Sequence, residues 1–453
     1  MREPKKMDKA RETALRVIHA VSENGGYANI LLAEELKNGD LSELDRRFAT
    51  ELVYGVVKAG DTLDWIISRY VNKPLKKMEP WARCILRLGM YQLFYLSKIP
   101  QSAAVNESVN LARRYGTKLN SSAGFINAVL RRAAREPEVA VFPQGAGKAT
   151  EYLSLKEMHP RWLVKHWIGI LGYEAAEKIC RFDNEPAVLS VRTNTLKATR
   201  DELMARLTEE GCTVEKSALV PEGIKITAHR ALKDITSLAE GMWQVQDESS
   251  MLVAHVLDPQ PGDFVLDVCS APGGKTTHLA QLMKNQGKII AGDLYPARLE
   301  KVAENARRLG ITIIETAAGD ARCIGERFLR QADRVLVDAP CSGLGVLRRR
   351  PDARWRVTAD DMKGLPPLQL EILESAAQCV KQGGVLVYST CTMEPAENAG
   401  VIEKFLAANK DFTLVETGEY LPEQKRSGRM VQLLPHVDGT DGFFIARMER
   451  KAK

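Results

Sequence analysis

The most restrictive feature of the sequence is a regular alternation that begins near residue 264. Short apolar runs of strand length are separated by longer segments with helical spacing. Phe264–Val268 leads into a glycine turn and a helix over Thr276–Met283, Lys288–Asp293 into a helix over Pro296–Leu309, and Thr312–Glu315 into Asp320. Arg334–Asp338, a helix over Leu368–Val380, a strand over Gly384–Ser389 and a helix over Ala396–Ala407 continue the series. Late strands are expected at Phe412–Glu416 and Gly442–Met448. Strands joined by helices run parallel, because only a long crossover returns the chain to the same end of a sheet. The expected architecture is therefore α/β, with a doubly wound, mostly parallel sheet. Its ligand crevice lies at the carboxyl ends of the strands.

Four acids stand at those ends: Asp267, Asp293, Asp320 and Asp338. Any one of them could be a helix cap or a loop acid. Four in register with a glycine turn point to an adenosine-bearing cofactor, with Asp293 accepting ribose hydroxyls and Asp320 meeting the adenine amino group. The turn itself reads Cys269-Ser270-Ala271-Pro272-Gly273-Gly274-Lys275. It is neither a Walker loop nor GxGxxG, which disfavours a nicotinamide dehydrogenase.

Cysteine usage separates chemistry from packing. The chain holds eight cysteines with no CxxC pair and seven histidines with no HxH or HxxxH pair, so no metal centre is expected. The start of the chain shows no apolar signal core, and no apolar run approaches the roughly 20 residues of a membrane helix. A reducing, cytoplasmic setting with free thiols follows, and a monomer is expected. Cys84, Cys180, Cys212, Cys323 and Cys379 read as small buried hydrophobes. Cys341 follows the fourth strand and Cys391 the fifth. Neighbouring parallel strands lie about 4.8 Å apart, so element order alone brings both thiols to the crevice. It does not say which of them attacks.

Residues 1–140 read as helix after helix. Ala14, Leu15, Ile18 and Val21 mark one face, and similar patterns cover Phe48–Val57, Leu63–Val71, Trp81–Leu96, Ala103–Tyr115 and Ser121–Ala134. Here composition matters. This third carries 23 Lys and Arg against 16 Asp and Glu, whereas the remainder carries 41 against 42. Arg113, Arg114, Lys118, Arg131, Arg132 and Arg135 cluster on or beside its last two helices. An excess of this kind suits a phosphate backbone, and a merely solvated surface is the plain alternative.

Glu136–Gly147 is turn-rich and reads as a linker. Residues 150–240 mix helices at Trp162–Ile170, Tyr173–Cys180 and Asp201–Glu210 with strands at Ala187–Arg192, Thr213–Glu215 and Ile224–Thr227, giving a small α/β unit. The run Arg348-Arg349-Arg350-Pro-Asp-Ala-Arg354-Trp355-Arg356 sits close behind Cys341. Its position suggests a grip on phosphates with Trp355 stacking on a base. An exposed loop anchored by a buried Trp355 is the alternative.

Three motifs now carry a family resemblance. Asp267-Val-Cys-Ser-Ala-Pro-Gly-Gly-Lys-Thr276, Asp338-Ala-Pro-Cys-Ser-Gly-Leu-Gly345 and Ser389-Thr-Cys-Thr-Met-Glu-Pro-Ala-Glu-Asn398 resemble the motif set of RNA cytosine-5 methyltransferases. The basic helical front end is similar to a NusB-like RNA-binding domain, and the bacterial Sun/Fmu (RsmB) branch combines both parts. Thr392 stands where that family commonly has Ser. The resemblance implies an all-α NusB-like domain over 1–140, a small RRM-like α/β subdomain over 150–240, and a Rossmann-like methyltransferase domain over 241–453. It also implies S-adenosylmethionine as cofactor, held by Cys269, Ser270, Ala271, Pro272, Gly273, Gly274, Lys275, Asp293, Asp320 and Asp338. The substrate would be a cytidine of small-subunit (16S) ribosomal RNA. Cys391 would be the nucleophile at carbon 6, Cys341 would assist product release, and Asp338 would stabilise the protonated ring edge, with Lys275 approaching the base. Because a base inside a helix is out of reach, a loop or flipped nucleotide is implied. Three other readings are weaker. An exocyclic-amine methyltransferase would carry an aromatic where Cys341 stands, and a DNA cytosine enzyme would leave Cys391 idle. A non-catalytic RNA-binding factor would have no use for intact thiols and acids.

Overall fold

A computed structural model describes residues 8–115, 121–145, 147–228, 232–422 and 427–452. The chain divides into two compact units, one reaching Glu185 and including Arg349–Arg356, the other holding the remainder.

The first unit is all-helical. Its helices are α1 (Lys9–Asn24), α2 (Ala28–Asn38), α3 (Glu43–Ser68), α4 (Pro80–Tyr95), α5 (Gln101–Tyr115), α6 (Ser121–Arg135), α7 (Ala149–Lys156), α8 (Arg161–Leu171) and α9 (Tyr173–Phe182). The punctuation is local. Asp8 and Ser42 cap α1 and α3 through their side chains, and Gly25 stops α1 in the left-handed region. Ala14, Leu15 and Ile18 are at most 1% exposed and pack on Leu52, Leu63 and Ile66 of α3. The two segments expected at 48–57 and 63–71 form one helix, bent at Gly60.

Helices α8 and α9, expected at the start of the α/β subdomain, group in the structure with the helical unit, as does α7, and residues 136–145 are anchored to that unit. Tyr70 donates to the Glu136 carbonyl, Ala140 is buried, and Phe142 packs edge-on against Trp65. The Arg348–Arg356 run is likewise structural. Arg354 is fully buried, and its guanidinium donates to the carbonyls of Met158 and Asp183 and to Asn184 Oδ1. The Trp355 indole donates to the Val57 carbonyl at 2.8 Å and lies against Gly60. Arg356 donates to Gly25 and Gly26, and Arg348 faces Asp441. Only Arg350 of the run's arginines is exposed. Donors spent on buried carbonyls are not available to phosphates.

The second unit carries both sheets. The smaller is antiparallel, in the order β2-β3-β1-β4, from β1 (Leu189–Thr193), β2 (Thr213–Lys216), β3 (Gly223–Ala228) and β4 (Trp243–Val245). The larger uses β5 (Phe264–Asp267), β6 (Lys288–Asp293), β7 (Ile314–Ala318), β8 (Ala332–Asp338), β9 (Val380–Thr390), β10 (Phe412–Leu414), β11 (Met430–Leu433) and β12 (Phe443–Arg450). Its order is β10-β12-β9-β8-β5-β6-β7, with β11 paired to β12. The five strands from β9 to β7 are parallel, and β10, β11 and β12 are antiparallel additions. After β7 the chain crosses to the other side of β5, so the strand order reverses between β5 and β8. That switch point opens a crevice at the strand ends.

Candidate active site

The site grows from the pairing of β8 with β9. Their register sets Asp338 opposite Ser389, so the loops that follow leave the sheet side by side. Cys341 and Cys391 ride on these loops, and their Sγ atoms lie 3.4 Å apart. Both are partly exposed, and they are the sulfurs that element order brings together.

Backbone and side chains stitch the loops. Gly345 N–H donates to the Cys391 carbonyl at 3.0 Å, and Gly442 N–H donates to Gly345. Ser342 and Thr392 share a hydroxyl hydrogen bond of 2.8 Å. Glu397, 1% exposed, accepts from Ser342 N–H and from the Gln369 amide, which also holds the Pro340 carbonyl. Asn398 accepts from the Thr390 hydroxyl and donates to the Thr392 carbonyl. Spacing alone assigns Glu397 and Asn398 no task. Their task is to hold both cysteine loops.

Charge around the sulfurs is uneven. The neighbouring Cys391 sulfur, then burial, then Glu397, push the Cys341 thiol well above its ordinary range. Lys275, at the start of the helix Gly274–Leu282, places its ammonium 2.8 Å from Asp338 and 5.0 Å from the Phe443 ring centre. Burial works against its charge, but Asp338 and then Cys391 more than offset that and raise its pKa. Ser389 donates to the other Asp338 oxygen at 2.9 Å.

The acids do not all face the crevice. Asp267 is 1% exposed and accepts from the Thr276 hydroxyl, which ties the glycine turn to its helix. Burial raises its pKa to about 7. Asp293 accepts from Tyr295 N–H and is covered by a half-exposed Arg298. Asp320 caps the turn Ala321–Cys323 and pairs with Arg322 at 2.6 Å, the cap reading that sequence had set beside the functional one. Asp338 stands open at the rim with a 28% exposed side chain.

The glycine turn has the shape of a cradle. Gly273 adopts φ +97, in the left-handed region, and the Ala271–Pro272 bond is cis. An added Cβ at Gly274 would meet nothing nearer than Gln246 at 3.9 Å, so its backbone is approachable. Arg192 secures the turn from behind. It is fully buried and donates to the Gly274 carbonyl at 2.7 Å and to the Thr277 hydroxyl, a role that sequence spacing could not reveal. Leu294 and Tyr295 follow Asp293 and remain 55% and 58% exposed. An approachable glycine backbone, a carboxylate at the second strand end and an apolar shelf fit a ligand with ribose hydroxyls and a flat ring.

The remaining thiols divide. Cys84, Cys180, Cys212 and Cys379 are buried, as expected, but Cys323 is exposed because it sits in the turn after Asp320. Cys269 is partly buried, and burial keeps its thiol protonated. Among the described residues one group of metal-type donors converges, from three separated elements: Glu222 Oε1 lies 2.9 Å from His255 Nε2 and 2.8 Å from His278 Nε2. Burial and the Arg192 charge push His278 down to about 4, and that same buried charge disfavours a second cation there. Lys118 and His229 lie outside the described residues. No helix among the described residues is long and apolar enough to cross a membrane.

Residues 254–449 match the family described as 16S rRNA methyltransferase RsmB/F. Residues 8–135 match the NusB family, and residues 159–233 match a ferredoxin-like domain of RsmF/B-like methyltransferases. A probable ribosomal RNA small subunit methyltransferase B from Bacillus subtilis (strain 168) is 43% identical, over 98% of this chain and 100% of its own. The ribosomal RNA small subunit methyltransferase B of Serratia proteamaculans is 35% identical, over 97% and 98%. The crystal structure of PH0851 superposes with a TM-score of 0.84 at 31% identity, covering 99% of this chain and 100% of that one. NSun6 from Pyrococcus horikoshii, solved with SFG, gives 0.58 at 27% identity over 65% of this chain and 98% of its own.

Proposed function

Because the chain belongs to the RsmB/RsmF family of 16S rRNA methyltransferases, we propose that it makes 5-methylcytidine through a covalent bond between Cys391 and carbon 6 of the target cytosine. The observation that carries this reading is the sulfur pair, 3.4 Å apart at the end of β8 and β9. Carbon 5 of cytosine is a poor nucleophile. Addition of a thiolate at carbon 6 pushes the ring electrons to carbon 5 and makes it enamine-like. Bound S-adenosylmethionine, the cofactor of this family, supplies the electrophilic methyl group that carbon 5 takes up. Loss of the carbon-5 proton to a base then restores the double bond and expels the Cys391 thiolate.

The surroundings favour this division of labour. Cys341 holds its proton tightly and can donate a hydrogen bond to a Cys391 thiolate. The Lys275 ammonium interacts with Cys391 and favours its negative form. Cys341 then assists expulsion of the product, and Asp338 stabilises the protonated ring edge. The residues that would hold the cofactor are Cys269, Ser270, Ala271, Pro272, Gly273, Gly274 and Lys275 of the turn, with Asp293 on the ribose in place of Arg298 and Asp320 on the adenine in place of Arg322. SFG, bound to the NSun6 relative, is an analogue of the same cofactor. The basic helical unit supplies the hold on ribosomal RNA.

The deciding experiment supplies a 16S transcript and isotopically labelled methyl donor, then separates the nucleosides by mass spectrometry. Label is expected in 5-methylcytidine. Label in N4-methylcytidine or in a purine would overturn the carbon-5 reading.

A further inference from the structure

Helices α5 and α6 lie side by side, and between them runs a depression with two adjoining parts of about 630 and 420 Å³, joined through Asn106 and Arg131. Its walls carry three arginines, Arg113, Arg131 and Arg135, and four amides, Gln101, Asn106, Asn110 and Asn127. Among the described residues that line it there is no carboxylate, and Glu107 beside it accepts from the Asn110 amide at 3.4 Å. Elsewhere on these helices the cations are matched: Arg114 pairs with Glu12 and Arg132 with Glu136. The three groove arginines are not paired with any carboxylate among the described residues. Arg131 and Arg113 are held by amides instead, on Asn127 at 2.9 Å and Asn110 at 3.3 Å.

Two further observations point the same way. Gly124 sits inside α6, exposed, where an added Cβ would meet nothing within 4 Å. A glycine there costs about 1 kcal/mol against alanine. Neither packing nor backbone geometry asks for it, so its effect is to keep the floor of the groove open. Phe125, beside it, is 39% exposed. An exposed aromatic residue one position from the glycine that lines the groove offers a stacking platform at its edge.

We infer that the α5/α6 groove is an RNA-binding site, in which Arg113, Arg131 and Arg135 neutralise phosphates along one strand. The amides of Asn106, Asn110 and Asn127 reach 2′-hydroxyls or base edges, and Phe125 stacks on an adjacent base. The inference rests on the ribosomal RNA reading above and gives it a location in the helical unit, away from the cysteine loops in sequence and in structural unit. Guanidinium groups suit this task because they are always charged and bind phosphate through two N–H groups at once.

The test uses the full-length protein, a 16S rRNA transcript as the probe, and binding measured from low to high NaCl. Two variants are compared with wild type: the triple R113A/R131A/R135A, and Gly124→Leu, which fills the groove without changing charge. The triple variant is expected to bind at least tenfold more weakly, with the slope of log affinity against log salt reduced by about 2. Gly124→Leu is expected to weaken binding while thermal unfolding is unchanged or about 2–4 °C higher than wild type. Binding of S-adenosylhomocysteine, followed by calorimetry, should be unchanged in both. Variants that bind the transcript with wild-type affinity and salt slope would overturn the groove and leave the enzymatic reading intact. A wild-type protein that binds no ribosomal RNA at any salt would overturn both.

Discussion

A Cβ on Gly345 would lie 2.0 Å from the Gly442 carbonyl oxygen and 2.9 Å from that of Cys391. These are backbone atoms of the two neighbours that fix the cysteine loops, so nothing can give way cheaply. Gly345→Ala should therefore part the loops, with a loss of about 1–3 kcal/mol in stability and a larger proportional loss of methyl transfer. Denaturant melts and turnover on the same samples check this, and a variant with wild-type turnover would show that the contact does not set the sulfur geometry. Asp267 makes a separate prediction. Its folded pKa, about 7, lies above the unfolded value near 3.9, so the folded state holds the extra proton between them. The stability it contributes is full below about pH 4 and is lost as pH rises towards 7. Asp267→Asn should thus match wild type near pH 4 and exceed it in denaturant midpoint at pH 8. An unchanged difference between the two pH values would contradict the assignment. At this scale the sequence was legible where residues carry chemistry: Cys341 and Cys391 converge as strand order required, and Lys275 lies against Asp338. Arg192, Gln369 and Glu397 were not legible, because each acts on a partner many residues away through a buried hydrogen bond.

Among elements, the period-2 and period-3.6 patterns found the parallel strands and most of the helices. β8 and β9 emerged as neighbours for the reason given in advance, that a crossover returns the chain to the same end of the sheet. What local pattern could not show is where a polar run spends its donors. The Arg354-Trp355-Arg356 segment looks like a nucleic-acid grip in one dimension, yet it packs into the helical unit through carbonyls of residues as far away as Gly25. This fixes the sign of another prediction. Trp355→Ala should cost about 3 kcal/mol of stability and leave the salt slope of RNA binding unchanged. A fall in that slope with an unaltered melting curve would return the segment to its first reading.

For the molecule as a whole, the expected fold class stands: a NusB domain in front and a methyltransferase domain with a mostly parallel, mixed sheet behind. Packing and family matching divide the chain differently: α8 and α9 group with the helical unit, whereas the ferredoxin-like match begins at residue 159. The central claim is that two thiols divide one reaction between them, and trapping the intermediate tests it most directly. Wild-type, Cys341→Ala and Cys391→Ala proteins would be incubated with a 16S transcript and S-adenosylmethionine, then run on a denaturing gel. We expect a protein–RNA band resistant to denaturant with Cys341→Ala, and neither band nor methyl transfer with Cys391→Ala. An adduct that forms with Cys391→Ala and not with Cys341→Ala would contradict the account.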